Sequence, residues 1–244
     1  MTTNTAHKTD ILGIGFHTLS LRETVNDALE IIKARGGYVV TPNPEIVWES
    51  RKNSELRDAV NKASLVLPDG IGIIHAAKIL KRPLTEKVAG IDFAAELMAE
   101  LAKKSAAVCL LGAKPGVAEK AGEALAAANP GLRIAGAWDG YTDLGDTLIA
   151  QINEKKPELL LVCLGSPKQE LWMAQNASRL DVGLMAGLGG AMDVFAGVTS
   201  RAPQSWQRLG MEWLYRLLKE PRRIGRAMRL PKFLFAVLAE RMRI

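Results

Sequence analysis

The chain has 244 residues, of which 48% are hydrophobic and 24% are charged, so it is long enough to bury a substantial core as one large or two small domains. This ordinary globular composition excludes a disordered or collagen-like chain. The formal net charge is +6, but residues 201–244 hold 11 basic and 3 acidic side chains, which leaves residues 1–200 slightly acidic. An anionic partner is therefore expected at the C-terminal end.

The two cysteines, Cys109 and Cys163, each lie in an apolar run, where a reduced thiol behaves as a small hydrophobic side chain. They predict neither a disulfide framework nor a structural zinc site. The N-terminus is polar and lacks the apolar segment of a signal peptide, and no run reaches the roughly 18 apolar residues of a membrane span. We therefore expect a cytoplasmic protein that is soluble or bound to a membrane surface.

Short apolar runs alternate with longer segments of helical period. The run at 11–14 precedes a helix that begins with a capping box of Ser20 and Glu23 and ends at Gly36-Gly37. This alternation predicts an α/β fold, with a mostly parallel, Rossmann-like sheet covered by helices on both faces. The remaining predicted strands are at 38–41, 64–67, 108–111, 132–135, 159–164 and 182–188.

Polar residues follow the second of these runs, in the string Thr41-Pro42-Asn43-Pro44-Glu45. Ligands of open α/β sheets bind beyond the carboxyl ends of the strands. Thr41 and Asn43 are therefore candidate ligand-binding residues. The alternative is that Asn43 only caps the helix that follows.

Asp69 follows the third run, just before a helix predicted over 71–80. A carboxylate at the tip of a strand is placed where a general base would act on a bound ligand. An aspartate directly before a helix also serves simply as a cap that complements the helix dipole. The spacing alone leaves both interpretations open.

Two glycine-rich turns follow later strands. Gly165 and Ser166 precede a helix whose free N–H groups can hold a diphosphate, and Gly189 and Gly190 allow close approach of the backbone to a ligand. The alternative is that both turns serve only tight packing. Neither turn has the G-x-G-x-x-G fingerprint, and the chain has no Walker A string, which argues against a nucleotide-dependent oxidoreductase and a P-loop protein.

The sequence offers no obvious metal site. Its three histidines are scattered, and it has no Asp-x-Asp pair for Mg²⁺ or Mn²⁺. If the ligand carries a diphosphate, helix N-termini and basic side chains must then meet its charge. We therefore predict a metal-independent mechanism without a cofactor.

The C-terminal segment combines basic and apolar residues. Seven basic side chains and one acidic side chain lie in 216–232, and Phe233, Leu234 and Phe235 follow with further arginines. Such a mixture suits an anionic bilayer, whereas no nucleic-acid-binding motif is present. We predict a catalytic core at 1–200 and a basic, helical, membrane-associating appendage at 201–244, in which Pro231 ends a helix. The alternative is a solvated charged face packed on its own domain.

Several strings occur together in one known family: those at 41–45, 68–72, 90–92, 164–170, 187–193, 201–203, 212–217 and 220–223. In this order they resemble the WecG/TagA/CpsF family of bacterial glycosyltransferases (glycosyltransferase family 26) over roughly residues 10–230. Within the family the chain looks most like the TagA type.

The resemblance implies transfer of a sugar from a UDP-sugar to a polyprenyl-diphosphate-linked sugar on the cytoplasmic face of the membrane. For the TagA type the donor is UDP-N-acetylmannosamine, the acceptor is N-acetylglucosaminyl-diphospho-undecaprenol, and the product primes wall teichoic acid. The family also implies UDP-N-acetylmannosaminuronic acid or UDP-glucose as alternative donors. A nucleotide-binding membrane adaptor without transferase activity is the other alternative.

The resemblance also implies roles for individual residues. Asp69 would be the base that takes the proton of the acceptor hydroxyl in a single inverting displacement of UDP. Lys87 stands where family members carry arginine, so it keeps the charge but loses the bidentate fork, which bears on donor choice. The matching pocket positions are Thr41, Asn43, Gln169 and, for the nucleotide, Asp193.

Three arginines of the basic tail, Arg216, Arg222 and Arg223, are expected to reach the diphosphates, because a guanidinium group binds phosphate in a fixed geometry. Since they lie on the segment predicted to seek the membrane, the site would be complete only at the bilayer or in a suitable homo-oligomer.

Overall fold

The computed structural model describes residues 8–84, 86–208, 210–219, 225 and 228–243, and for Arg208 and Arg216 it describes the backbone only. In chain order the elements are β1 (Lys8–Ile11), β2 (Ile14–His17), α1 (Leu21–Ala34), β3 (Tyr38–Val40), α2 (Pro44–Ser50), α3 (Ser54–Asn61), β4 (Leu65–Val66), α4 (Ile71–Leu80), α5 (Gly90–Ala102), β5 (Ala107–Gly112), α6 (Val117–Ala128), β6 (Arg133–Trp138), α7 (Asp146–Lys155), β7 (Leu159–Cys163), α8 (Lys168–Asn176), β8 (Leu184–Gly187), α9 (Ala191–Phe195), α10 (Gln204–Arg208), α11 (Glu212–Lys219) and α12 (Arg229–Arg241).

The centre of the fold is a sheet of six strands in the order β4-β3-β8-β7-β5-β6. Every neighbouring pair in it is parallel. The predicted fold class is therefore confirmed. Because all six strands run in one direction, the loops that follow them meet at a single edge, where ligands of such sheets bind.

The core lies on both faces of this sheet. In β7, Leu159 and Leu161 join one cluster of buried side chains, while Leu160 and Val162 join the other. Residues of α1, α5, α6 and α9 complete the first cluster, and residues of α2, α3, α4, α7, α8 and α12 complete the second. This double burial explains why the strands are continuous apolar runs rather than alternating ones.

The apolar run at 11–14 is not a strand of the parallel sheet, so that prediction is wrong. The run spans the turn of an antiparallel hairpin in which Ile11 pairs with Ile14. Leu12 and Gly13 both have positive φ, 54° and 87°, as a two-residue hairpin turn requires. The four residues include the turn between two short strands, which an apolar run does not indicate.

Helix α1 confirms the predicted capping box. Ser20 Oγ accepts a hydrogen bond from the Glu23 N–H at 3.3 Å, and Glu23 Oε2 accepts one from the Ser20 N–H at 2.8 Å. The helix ends at Ala34, just before Gly36-Gly37. The pattern can be recognised in the sequence because the side chains of Ser20 and Glu23 each accept a hydrogen bond from the backbone N–H of the other residue.

The last helix, α12, packs on α2 and α4. Phe233 and Val237 are buried there and belong to the core cluster. Pro231 lies in the first turn of α12, where its missing N–H removes no helical hydrogen bond. The prediction that Pro231 ends a helix is therefore wrong. Among the described helices, none is long and apolar enough to cross a membrane.

Candidate active site

Asp69 lies in the loop between β4 and α4, at the carboxyl edge of the sheet, and its side chain is half-buried. It lines a cleft whose other walls come from the loop after β8, the start of α5 and the start of α11. The N-cap of α4 is Gly70, with φ 91°, and Gly70 makes no side-chain cap hydrogen bond. Asp69 therefore stands one position before the N-cap, and its role as the base stays a prediction. The other residues that line the cleft are Ala89, Gly90, Ile91, Leu188, Gly190, Ala191, Val194 and Glu212.

Thr41 ties the end of β3 to the end of β8. Its buried hydroxyl donates a hydrogen bond to the Gly187 carbonyl at 3.1 Å. Gly90 packs against the same point, because a Cβ on Gly90 would lie 3.0 Å from Thr41 Cγ2 and 3.1 Å from Leu188 Cδ2. A side chain at position 90 would push these loops apart. Thr41 and Gly90 thus set the spacing of the cleft walls.

Asn43 is the N-cap of α2. Its Oδ1 accepts hydrogen bonds from the Glu45 and Ile46 N–H groups, both at 3.0 Å, which confirms the capping interpretation. The cap uses the oxygen, which leaves the Nδ2 amide for a ligand. Pro44 packs against the loop of Asp69 and the start of α4, since a Cβ on Gly70 would lie 3.7 Å from Pro44 Cδ and one on Gly72 would lie 2.6 Å from Pro44 Cγ. The loops that carry Asn43 and Asp69 are therefore in direct contact.

Gln169 connects the two glycine-rich turns. It is 3% exposed, and its Oε1 accepts a hydrogen bond from the Gly189 N–H at 3.1 Å. Its own N–H donates to the Gly165 carbonyl at 2.9 Å. Gly165 and Gly189 both have positive φ, 77° and 55°, and each would have open space around a Cβ. Conformation rather than tight packing therefore demands glycine at these two positions.

Asp193 lies in the first turn of α9, close to the second glycine turn. A Cβ on Gly190 would lie 4.0 Å from Asp193 Oδ2. The Asp193 carbonyl accepts hydrogen bonds from the Val198 and Thr199 N–H groups. Asp193 thus stands beside a residue that lines the cleft, and its role as a nucleotide contact stays a prediction.

Lys87 forms a salt bridge across the chain to Glu212, with Lys87 Nζ 3.0 Å from Glu212 Oε2. Both side chains are mostly buried, at 23% and 20% exposure. Because Glu212 lines the cleft of Asp69, the ammonium group of Lys87 is held at that cleft. The position that departs from the family pattern is therefore close to the candidate base.

A second ion pair extends this contact. Arg201 binds Asp92 through two hydrogen bonds of 2.5 and 2.8 Å, and Arg201 Nε lies 3.7 Å from Glu212 Oε1, which is ion-pair distance but too long for a hydrogen bond. The bonds to Asp92 raise the pKa of the Arg201 guanidinium. These contacts of Arg201 hold the start of α5 against the segment around Glu212.

Sequence reasoning did not single out Asp92, Arg201 or Glu212 as site residues. They occur in strings used for the family resemblance, but Asp92 and Arg201 lie more than 100 positions apart and carry no local pattern that would pair them. For the tail arginines the outcome is different. Arg222 and Arg223, and the side chain of Arg216, lie outside the described residues, so their proposed contacts stay predictions.

Comparison with known proteins places the chain in a family. The model of the glycosyl transferase WecG/TagA/CpsF family matches residues 9–244. The chain belongs to this family of glycosyltransferases. Two relatives, from Staphylococcus aureus strains MW2 and NCTC 8325, are each 34% identical over 245 residues, which cover 99% of this chain and 96% of the relative. Both are named N-acetylglucosaminyldiphosphoundecaprenol N-acetyl-beta-D-mannosaminyltransferase.

In this glycosyltransferase, four described residues that the family resemblance singled out meet at one edge of the sheet. Thr41, Asp69, Lys87 and Gln169 come from four separate loops or helix starts, and the contacts above link all four to the cleft walls or to the glycine turns. Within the described ranges, no three His, Cys, Asp or Glu side chains group as metal ligands.

Proposed function

We propose that this glycosyltransferase moves N-acetylmannosamine from UDP-N-acetylmannosamine to N-acetylglucosaminyl-diphospho-undecaprenol, forming the linkage unit of wall teichoic acid or a related surface polysaccharide. The observation that carries the proposal is the position of Asp69, half-buried in a cleft at the carboxyl edge of the sheet. The names and near full-length coverage of the two relatives support the choice of sugars.

In the proposed mechanism, Asp69 accepts the proton of the acceptor hydroxyl while that oxygen attacks the anomeric carbon. UDP leaves from the opposite side, so one displacement inverts the configuration at that carbon. The half-buried position suits this role, because the carboxylate is reachable from the cleft and partly shielded from water. Thr41 and Asn43 stand on neighbouring loops and would orient the sugar.

The leaving diphosphate needs positive charge or N–H donors. The N-terminus of α8 and the glycine turns at Gly165, Ser166, Gly189 and Gly190 would supply N–H groups. Lys87 would supply charge at the cleft. Arg216, Arg222 and Arg223 would add charge from the C-terminal segment. With these groups the step would proceed without a metal ion.

The acceptor is a lipid, so we propose that the enzyme is peripheral on the inner face of the plasma membrane. The C-terminal helix supports this, because α12 buries Phe233 and Val237, whereas Leu234, Phe235 and Leu238 on the helix and Met242 directly after it are exposed. Exposed apolar residues beside basic ones are typical of an interfacial helix. We propose further that 1–200 form the catalytic core and 201–244 the membrane-associating appendage.

The function is tested with a panel of UDP-sugars and a short-chain polyprenyl-diphosphate N-acetylglucosamine acceptor, each with and without a chelator. We expect a disaccharide-lipid product with UDP-N-acetylmannosamine, a β linkage by NMR, and the same rate with chelator. A product only with UDP-glucose or UDP-N-acetylmannosaminuronic acid would overturn the donor. Absence of product with every donor, together with tight nucleotide binding, would favour the adaptor.

A further inference from the structure

Gln169 has a neighbour in α8 whose side chain the proposed mechanism does not use. Glu170 is 1% exposed, and its Oε1 accepts a hydrogen bond from Gln169 Nε2 at 2.8 Å. At its other end, Gln169 Oε1 accepts from the Gly189 N–H at 3.1 Å. The three groups form a buried relay from the first turn of α8 to the turn after β8.

A glutamine amide has two ends of nearly equal shape, one a donor and one an acceptor, so only its partners decide which way it points. Glu170 offers an acceptor, which selects the amide nitrogen and turns the carbonyl oxygen of Gln169 towards Gly189. The opposite orientation would direct the NH₂ group at the Gly189 N–H, where two donors would face each other.

We propose that Glu170 is a positioning residue for sugar transfer: it orients the amide of Gln169, which holds the Gly189 turn in the shape that binds the donor. This inference rests on the proposed function, because it assigns the Gly189 turn to the donor. Gly189 adjoins Leu188 and Gly190, which line the cleft of Asp69, so the relay ends at the candidate site.

The hydrogen bond from Gln169 requires an acceptor oxygen at position 170, which an acid, a carboxylate or an amide can supply. Glu170 Oε2 and Ser166 Oγ are buried, and neither has a hydrogen-bond partner among the described residues. Burial raises the pKa of Glu170, while hydrogen bonds, first among them the one with Gln169, oppose this shift. The orienting contact therefore depends on the acceptor oxygen of Glu170 and not on the balance of these opposing effects.

This distinction gives a specific set of variants. Glu170→Gln keeps an acceptor oxygen of the same reach and no charge, whereas Glu170→Leu keeps the approximate size and removes the acceptor. Gln169→Ala removes the group that Glu170 orients. Glu119→Leu is the matched control, because Glu119 is also an acidic residue in the first turn of a helix, α6, but is exposed.

In the transferase assay we expect Glu170→Gln to stay within about twofold of the wild-type kcat/KM for the donor, and Glu170→Leu to lose about tenfold or more, as Gln169→Ala does. A residue that acts through Gln169 adds nothing once Gln169 is gone. The double variant Gln169→Ala/Glu170→Leu should therefore match Gln169→Ala within about twofold. Additive losses, or wild-type kinetics in Glu170→Leu, would overturn the proposal.

A second measurement separates this proposal from the function itself. Amide hydrogen exchange at Gly189 should be faster in Glu170→Leu and unchanged in Glu170→Gln and Glu119→Leu, whether or not the protein transfers sugar. Absence of transfer by the wild type would contradict the proposed function, whereas unchanged amide hydrogen exchange at Gly189 in Glu170→Leu would contradict the orienting role of Glu170. Glu170→Asp, which keeps an acid but withdraws the acceptor from Gln169, replaces the leucine variant should that variant not fold.

Discussion

At the scale of single residues, the proposed chemistry depends on the carboxylate of Asp69. Asp69→Asn keeps the size of the side chain and removes its ability to accept a proton. We expect kcat to fall by about 10²- to 10⁴-fold, the usual contribution of a general base. The measurement is the steady-state rate of disaccharide-lipid formation with UDP-N-acetylmannosamine.

Asp58→Asn is a suitable control for this change, because Asp58 is exposed on α3, away from the cleft lining. It should leave both rate and thermal stability unchanged. If Asp69→Asn retained the full rate, Asp69 would not be the base, and the mechanism proposed for this cleft would fail.

Lys87 is the second residue whose role can be measured directly. Lys87→Met keeps most of the aliphatic length but removes the 3.0 Å salt bridge of Glu212, whose remaining ion pair with Arg201 is longer, at 3.7 Å. A negative charge there repels the donor diphosphate. We expect the KM for the UDP-sugar to rise about tenfold, equivalent to about 1.4 kcal/mol of lost binding.

The matched substitution is Lys78→Met, at an exposed lysine in the last turn of α4. It should not change the KM of the donor. An unaltered KM in Lys87→Met would mean that the donor diphosphate does not approach Lys87, and that the departure from the family arginine has no bearing on donor binding.

At the scale of elements, α12 has two apolar faces with different expected roles. Phe235 on the helix and Met242 directly after it are 71% and 83% exposed, whereas Val237 is 0% exposed. Phe235→Ser with Met242→Ser should weaken binding to anionic vesicles about tenfold or more, since it removes apolar area that would enter the interface. The melting temperature should not change. Co-sedimentation with vesicles and thermal unfolding measure the two effects.

Val237→Ser, on the same helix, should change stability and not vesicle binding. It places a hydroxyl in the core and should lower the free energy of unfolding by about 1–3 kcal/mol. Vesicle binding by the fraction that stays folded should be unchanged. Should Phe235→Ser with Met242→Ser bind vesicles as well as the wild type, the exposed face of α12 would not be the membrane contact.

At the scale of the whole molecule, charge is distributed unequally, with net +8 in residues 201–244 and a slightly acidic remainder. Binding to vesicles of anionic lipid should therefore fall steeply between about 0.05 M and 0.5 M salt, because screening shortens the range of charge attraction. Binding to neutral vesicles should be weak at both concentrations. Salt-independent binding to both lipids would show that the basic tail does not direct the protein to the membrane.

Much of the fold is readable locally. The capping box of Ser20 and Glu23 marks the start of helix α1, and helix α4 spans the predicted range of 71–80. Local signals also failed where a turn was short, as in the hairpin at Leu12-Gly13. The prediction for Pro231 failed for a related reason, because proline occurs both after the end of a helix and in its first turn.

The candidate site is only partly readable in the same way. The loops of Thr41, Asp69 and Gln169 follow predicted parallel strands, and parallel strands bring such loops to one edge whatever their order. The pairing of Lys87 with Glu212 could not be predicted, because two long charged side chains 125 positions apart leave no periodic trace. The orientation of Gln169 by Glu170 could not be predicted from the sequence either.

The sequence by itself therefore determined the class of fold, the edge at which the candidate site lies and the family to which the chain belongs, since these follow from periodicity and from contiguous strings. Only the tertiary structure decided that β8 lies between β3 and β7, that Glu212 stands at the cleft of Asp69, and that α12 packs on α2 and α4. Each of these depends on contacts between distant segments, whose free energy is distributed over many side chains and is written in no single stretch of sequence.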